Sequence, residues 1–310
     1  MIPTGKPRLP EIDDIALPLK EMLDSKQITN GKNVRELEES VKKMCKVDNA
    51  IAFSSATNAL FLLIKALDWK GKIAIPDYTW ISTKIAAQWN GLQVEYIDVD
   101  PETWLASDIP ACSNFALLVD TFGNRCDLNP DVPTIYDAAH SFGVKGVGNR
   151  GVAEIFSFAP MKTVTGCEGG MVVTNDNKLA IKLREYAKFF SRMPEFNAIV
   201  AKYNLLHYKR MHKEKELTFQ YYERQLGVSF KFQKINSESN YTEVSIIPRS
   251  GDRDNILARL YDQMEYRIRY EPSSNLPNTN YLWKNSFIIP SWIGVPREEV
   301  VRLINAAIEN

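Results

Sequence analysis

The sequence predicts an α/β protein: a mostly parallel sheet covered by helices on both faces, joined to a smaller α+β part. Three observations support this. Short, continuously apolar runs alternate with helical segments through the first half of the chain, and such runs suit strands buried on both faces. The alternation stops near residue 190 and gives way to a long polar helical stretch and a different mixture of short elements. At 310 residues the chain is also longer than one compact core usually supports. The expected division is a large domain over 1–190 and a long helix with a small domain over 191–310.

Each element follows from local pattern. Residues 10–24, PEIDDIALPLKEMLD, have helical spacing despite Pro18, and 33–46, NVRELEESVKKMCK, are an amphipathic helix with Asn33 as cap. AIAFSS then reads as a strand, ATNALFLLIKAL as a helix, KIAIP as a strand, TWISTKIAAQW as a helix and VEYIDVD as a strand. FALLVDTFG, PTIYDAAH, AEIFSFA and GGMVVTN read as further strands. The polar helical stretch runs from about Glu195 to Gln225, and its KRMHKEKE segment is most simply a solvated face. Beyond it, strands are expected near YTEVSIIP and SFIIP and helices near 252–263 and 297–309, while PSSNLPNTN, residues 272–280, has the composition of a loop.

Composition excludes several classes. Hydrophobic residues make up 45% and charged residues 25%, as in ordinary globular proteins. Lys plus Arg equals Asp plus Glu at 38 each, which argues against nucleic-acid binding through a broad basic surface. Cys45, Cys112, Cys126 and Cys167 are far apart and form no Cys-x-x-Cys pair, so no metal site is expected and the thiols read as reduced core residues. The N-terminal stretch lacks a signal-peptide core, and no apolar run reaches the roughly 18 residues a membrane span needs, so a cytoplasmic protein without membrane contact is expected. GVGNRG, residues 146–151, matches the dinucleotide-binding pattern of glycines, but a strand-like segment follows it where that motif needs a helix. A turn explains those glycines better.

Four local signals fall at the ends of predicted strands. SSATNAL, residues 54–60, opens a helix after a strand; such a turn offers backbone N–H groups to a phosphate, and equally makes an ordinary helix cap. In DYTW, residues 77–80, Trp80 is placed to stack on a flat ring or to fill the core. In YDAAH, residues 136–140, Asp137 ends a strand and can pair with a cationic ring nitrogen or cap a helix; His140 nearby is one of three histidines in the chain. In FSFAPMKTVTGCEGGMVVTN, residues 156–175, Lys162 sits between two apolar strands. Held in a dry pocket, its amine forms a Schiff base with an aldehyde; at a surface it is an ordinary loop lysine. Phosphate turn, ring stacker, carboxylate and amine are complementary: together they are what holding pyridoxal phosphate requires.

With these segments in view, the chain resembles the DegT/DnrJ/EryC1/StrS aminotransferases, sugar aminotransferases of the fold type I pyridoxal-phosphate group. QITNGKNVRELEESV, FSSATNAL, IPDYTWISTKIAA and IDVDP are similar to the family's segments in order, and YDAAHSFG and FSFAPMKTVTGCEGGMVVTN are the most specific matches. The resemblance implies a seven-stranded, mostly parallel sheet in the large domain. It implies pyridoxal phosphate bound covalently to Lys162, which also shuttles protons. It implies Asp137 on the pyridinium nitrogen, Trp80 on one ring face, and the Ala56 backbone N–H, Thr57 and Ser157 on the phosphate. His140 would lie beside the ring among the catalytic residues. The implied reaction takes an amino group from an amino acid, usually glutamate, to a keto group of a nucleotide-linked deoxysugar, in a homodimer whose active site lies at the subunit interface. Because Lys162 is retained where dehydratase relatives carry histidine, transamination is favoured over dehydration. A non-catalytic or regulatory homologue, and another pyridoxal-phosphate-dependent sugar-modifying reaction, remain as alternatives.

The chain also departs from the family. Asp120, in DTFGN, stands where relatives have histidine, and Phe190, in FSRMPEFNA, stands where they place an asparagine that reaches the partner subunit's phosphate. Phenylalanine cannot replace an amide donor. Several loops are abbreviated, among them the region from 270 to 290.

Overall fold

A computed structural model describes residues 1–309. Helices α1 (Ile12–Ser25) and α2 (Lys32–Cys45) lead into β1 (Asn49–Phe53), α3 (Ala56–Leu67), β2 (Lys72–Pro76), α4 (Ile81–Trp89) and β3 (Gln93–Ile97). Strands β4 (Phe115–Val119), β5 (Thr134–Asp137), β6 (Ala153–Ser157) and β7 (Gly170–Thr174) complete a sheet of seven, followed by α5 (Asn177–Phe190), α6 (Glu195–Leu206) and α7 (Tyr208–Leu226). The rest comprises β8 (Phe230–Phe232), β9 (Val244–Pro248), α8 (Arg253–Leu260), α9 (Pro277–Asn285), β10 (Phe287–Ile289) and α10 (Arg297–Glu309).

The large sheet has the order β1-β7-β6-β5-β4-β2-β3. β3, β2, β4, β5 and β6 run parallel, and β7 pairs antiparallel with both β6 and β1. All strands but β7 therefore end on one edge of the sheet, and β7 begins there. Strand alternation sorts side chains into two cores. Ile51, Phe53, Ile155 and Val172 face a cluster with Leu60, Leu63 and Leu183 of α3 and α5. Ala50, Ala52, Phe156, Met171 and Val173 face another with Leu37, Val41, Ala198 and Ala201 of α2 and α6. The strands are buried on both faces, as their continuous apolar runs predict. The second sheet, β10-β9-β8, is antiparallel, and its core is shared with α7, α8 and α10.

Several details differ from the sequence expectations. Asn33 lies inside the first turn of α2, and Gly31 holds the cap position. The cap comes from far along the chain: the buried Glu195 carboxylate accepts the N–H groups of Gly31, Asn33 and Val34 at 2.7, 2.8 and 3.0 Å. The stretch from Glu195 is two helices, α6 and α7, meeting at His207. Its KRMHKEKE segment is not wholly solvated, because Met211 and Lys215 are buried. The loop expected at 272–280 ends early, since Pro277 starts α9 from a first-turn position that needs no N–H. FALLVDTFG stops being a strand at Val119 and turns through a 3-10 segment, Thr121–Gly123. β8 had no sequence signal strong enough to predict it. Among the cysteines, Cys45 and Cys126 are buried, while Cys112 is exposed.

The glycines of GVGNRG form a turn before β6, as expected. Gly148 and Arg150 donate backbone N–H groups to the buried Glu154 carboxylate at 2.7 and 2.6 Å, which takes the place a ligand would need.

Candidate functional site

The shared edge of the large sheet carries a cavity of about 430 Å³. Four sequence-selected segments converge on it: Ala56 and Thr57 after β1, Trp80 after β2, Asp137 and His140 at the end of β5, and Ser157 and Lys162 after β6. Edges of this kind, outside the carboxyl ends of parallel strands, are where open α/β sheets present functional groups.

One end of the cavity is a helix start. Ser55 caps α3, its hydroxyl accepting the Asn58 N–H at 3.1 Å. Ala56 and Thr57, the first two residues of α3, keep N–H groups that the helix itself cannot pair, and the helix dipole makes this end attractive to an anion. Ser157, buried on the neighbouring β6, lines the same space. Two glycines let these pieces meet. Gly169 has φ +142°, a backbone region that favours glycine. A Cβ on Gly170 would lie 2.4 Å from the Ala56 nitrogen, so only glycine lets β7 begin against the α3 terminus.

Lys162 rises from a loop closed behind it by Phe158, whose N–H reaches the Gly169 carbonyl at 2.9 Å and whose carbonyl accepts the Gly166 N–H at 2.9 Å. Burial brings the Lys162 amine down to about 8; the carboxylates of Glu243 and Asp137 oppose that shift, and Arg269 adds to it. Asp137, half-buried at the cavity wall, accepts the Thr83 hydroxyl at 3.0 Å and the Ala139 N–H at 3.1 Å. Burial pushes its carboxyl above the ordinary value, opposed by those two donors and by Lys162. His140 is held well below its ordinary value, chiefly by burial and then by the cations Lys162, Arg269 and Lys215. It is therefore neutral, and because its Nδ1 accepts the Phe122 N–H at 3.2 Å, its proton sits on Nε2.

The opposite wall comes from the second half of the chain, and the sequence reading missed it. Glu243, Arg269 and Tyr270 line the cavity. Arg269 and Glu243 form an ion pair at 2.8 Å, and the guanidinium lies 5.3 Å over the Trp80 ring. Neither residue belongs to a recognisable motif: Glu243 is a single charge before the apolar run VSIIP, and Arg269 is one of several charges in EYRIRYE. The loop after Tyr270 is pinned to the Trp80 turn by Asp77, which accepts the N–H groups of Ser273 and Ser274 and pairs with Lys84 at 2.5 Å in a fully buried clamp.

The two departures noted from the sequence have different surroundings. Asp120 is buried and bound by Arg150, Ser141 and the Cys126 N–H, so it anchors the end of β4. Arg150 joins it to Glu154. Phe190, at the end of α5, is 70% exposed and lies outside the cavity lining. Its neighbour Ser191 is buried and accepts the Ser54 N–H just before the α3 turn. Among the described residues, no cluster of His, Cys, Asp and Glu suits a metal ion, and no helix is long and apolar enough to cross a membrane.

Known proteins are similar to this chain in sequence and in fold. A dTDP-4-amino-4,6-dideoxy-D-glucose transaminase from Escherichia coli is 25% identical, with 97% of this chain and 96% of that protein covered. A UDP-4-amino-4,6-dideoxy-N-acetyl-beta-L-altrosamine transaminase from Campylobacter jejuni is 33% identical over 56% of this chain and 51% of its own. The structure of PseC from Helicobacter pylori, an aminotransferase involved in the biosynthesis of pseudoaminic acid, matches with a TM-score of 0.90 over 99% of this chain and 98% of its own, at 19% identity. The structure of GDP-4-keto-6-deoxy-D-mannose-3-dehydratase from E. coli, with bound hydrated PLP, matches with a TM-score of 0.88 over 99% of this chain and all of its own, at 20% identity. These structures share the fold, that of the fold type I enzymes. The sequence model of the DegT/DnrJ/EryC1/StrS aminotransferase family matches residues 11–307, and the chain belongs to that family.

Proposed function

We propose that this family member is a pyridoxal-phosphate-dependent sugar-nucleotide aminotransferase, moving an amino group from an amino acid, glutamate foremost, to a keto-deoxysugar nucleotide. The observation that carries the reading is the convergence of Lys162, Asp137 and the open α3 terminus on one cavity. The activities named for the E. coli and C. jejuni relatives support the substrate class.

The residues present fit the cofactor by their chemistry. Gly170 lets the backbone close around a cradle of unpaired N–H groups at Ala56 and Thr57, with the Thr57 and Ser157 side chains beside it, which suits a phosphate. Asp137 is a carboxylate with no ion pair among the described residues and suits a ring N–H. Trp80 supplies a face for stacking. When bound, pyridoxal phosphate supplies a ring that withdraws electrons from the carbon bearing the transferred amine. Asp137 keeps a proton on the ring nitrogen. Lys162 anchors the cofactor covalently; with its amine held near 8, it can take up and release a proton near neutral pH. His140, neutral, presents an acceptor to the Phe122 backbone and orders the wall beside the ring.

The same proposal includes the division of the chain near residue 190, a first part binding the cofactor and a second part closing the cavity with Glu243, Arg269 and Tyr270. It also includes a cytoplasmic homodimer in which the exposed aromatic surface around Phe190 meets a second copy. The exposed Phe190 is the observation that favours a second reading, a non-catalytic homologue.

The test follows the visible absorption of the protein-bound cofactor. Glutamate alone should abolish the band. Adding a keto-deoxysugar nucleotide should restore it, with one amino-sugar nucleotide formed per site. A band that no amino acid changes would favour the non-catalytic homologue.

A further inference from the structure

Lys162 and Glu243 occupy a shared partition. Both line the large cavity, and both line a second, small cavity of about 40 Å³ behind it. The Glu243 carboxylate is asymmetric. One oxygen accepts the Arg269 guanidinium at 2.8 Å, while Oε2 is buried with no hydrogen-bond partner among the described residues. An unpaired buried carboxylate oxygen is costly, so a partner for it in some state of the protein is expected.

The neighbouring groups narrow the choice. Lys215, from α7, is buried beside the small cavity, but its ammonium is spent on the carbonyls of Tyr241, Thr242 and Ser291 at 3.5, 3.0 and 3.3 Å. Arg269 serves the other oxygen through Nη2, while its own Nε is buried without a partner among the described residues. Tyr78 is engaged with Ser286, and burial holds Tyr270 well above its ordinary value, so Tyr270 keeps its O–H as a donor but brings no opposite charge to the carboxylate. Arg267 and the N-terminal residues Lys6 and Arg8 border the small cavity and not the large one. Lys162 is the cation that borders both cavities and has no hydrogen bond from its amine among the described residues. Asp137 and His140 face it from the β5 side.

We propose that Glu243 is a positioning residue for Lys162: its free oxygen receives the Lys162 amine whenever that amine is not engaged with the cofactor, and its charge holds a proton on the Lys162 nitrogen both then and while that nitrogen is joined to the cofactor. This rests on Lys162 being the cofactor-bearing lysine. Glu243 then gives the lysine a defined resting place on the partition, from which it returns to the ring. Arg269 sets the strength of the effect, because it neutralises part of the carboxylate's charge. Glu243 is the largest influence opposing the depression of the Lys162 amine, in keeping with this arrangement.

The test is a pH titration of the visible band in the cofactor-loaded enzyme. In Glu243→Gln, which keeps the shape and loses the charge, the midpoint should fall by about one unit or more, as loss of a close opposite charge requires. In Arg269→Gln the carboxylate is unmasked and the midpoint should rise. A residue with only a packing role would not give opposite shifts. An unchanged midpoint in Glu243→Gln, or shifts of the same sign in both variants, overturns the proposal. Should Glu243→Gln not fold, a fall or no change in Arg269→Gln overturns it alone. A wild-type enzyme with no band defeats the proposed function first, and this inference with it.

Discussion

The two walls of the cavity are built by different means. The sheet wall, from Ser55 to Thr57, Asp137 and Ser157, is made of backbone groups and short side chains fixed by the ends of buried strands, with Lys162 the one long cation rising from it among the described residues. The opposite wall is made of long charged side chains, Glu243 and Arg269, steered by ion pairs and by the buried Lys215 behind them. A wall of backbone cannot adjust, so it suits the part of a ligand that never changes. A wall of ion pairs responds to charge, so it suits protonation and choice of substrate.

The comparison can be broken first at its rigid side. In Gly170→Ala the new Cβ would lie 2.4 Å from the Ala56 nitrogen and 2.5 Å from its Cα, atoms that cannot rotate away. The first turn of α3 must shift, at a cost of about 1–3 kcal/mol. If that turn holds the phosphate, cofactor affinity should fall roughly tenfold to a hundredfold, read by titrating cofactor into the cofactor-free protein. Affinity equal to the wild type would show that the cofactor does not depend on this turn.

The charged side should give a smaller, pH-dependent effect. Burial lowers the Lys215 amine from its ordinary 10.5 to about 8. Between these values the unfolded chain carries a proton that the folded chain has lost, so Lys215 makes stability rise with pH across that window, and below about 8 its contribution is level. Lys162, also lowered to about 8, contributes with the same sign. Lys215→Met should therefore gain less stability than the wild type between about pH 8 and about pH 10.5 in urea denaturation. An equal gain in both proteins would mean that Lys215 is not held in its depressed state.

The same contrast explains what could be read from the sequence. The sheet wall is written in contiguous segments: an apolar run followed by SSAT, YDAAH or APMK places a strand and its terminal group together. Strand burial on both faces was visible because the runs are uninterrupted. The charged wall was not visible because its pairing is long-range. Glu243 and Arg269 are 26 positions apart, and neither is marked by a motif. Lys215 sits in KEKE, whose composition suggests solvent, yet its place on α7 turns it inward toward three carbonyls. The α2 cap shows the same limit. Asn33 has the right chemistry locally, but Glu195 arrives from 162 positions away and takes the N–H groups first. Pro277 was read as a loop residue because proline ends helices more visibly than it begins them.

The central claim is that Lys162, and no other lysine, carries the cofactor. Lys215 is the natural control, since it is buried and its amine is also lowered to about 8. Reducing the cofactor-loaded protein with borohydride, digesting it and weighing the peptides tests this directly. The account predicts one reduced cofactor per chain, on the peptide containing Lys162; label on Lys215, or on no lysine at all, would contradict it.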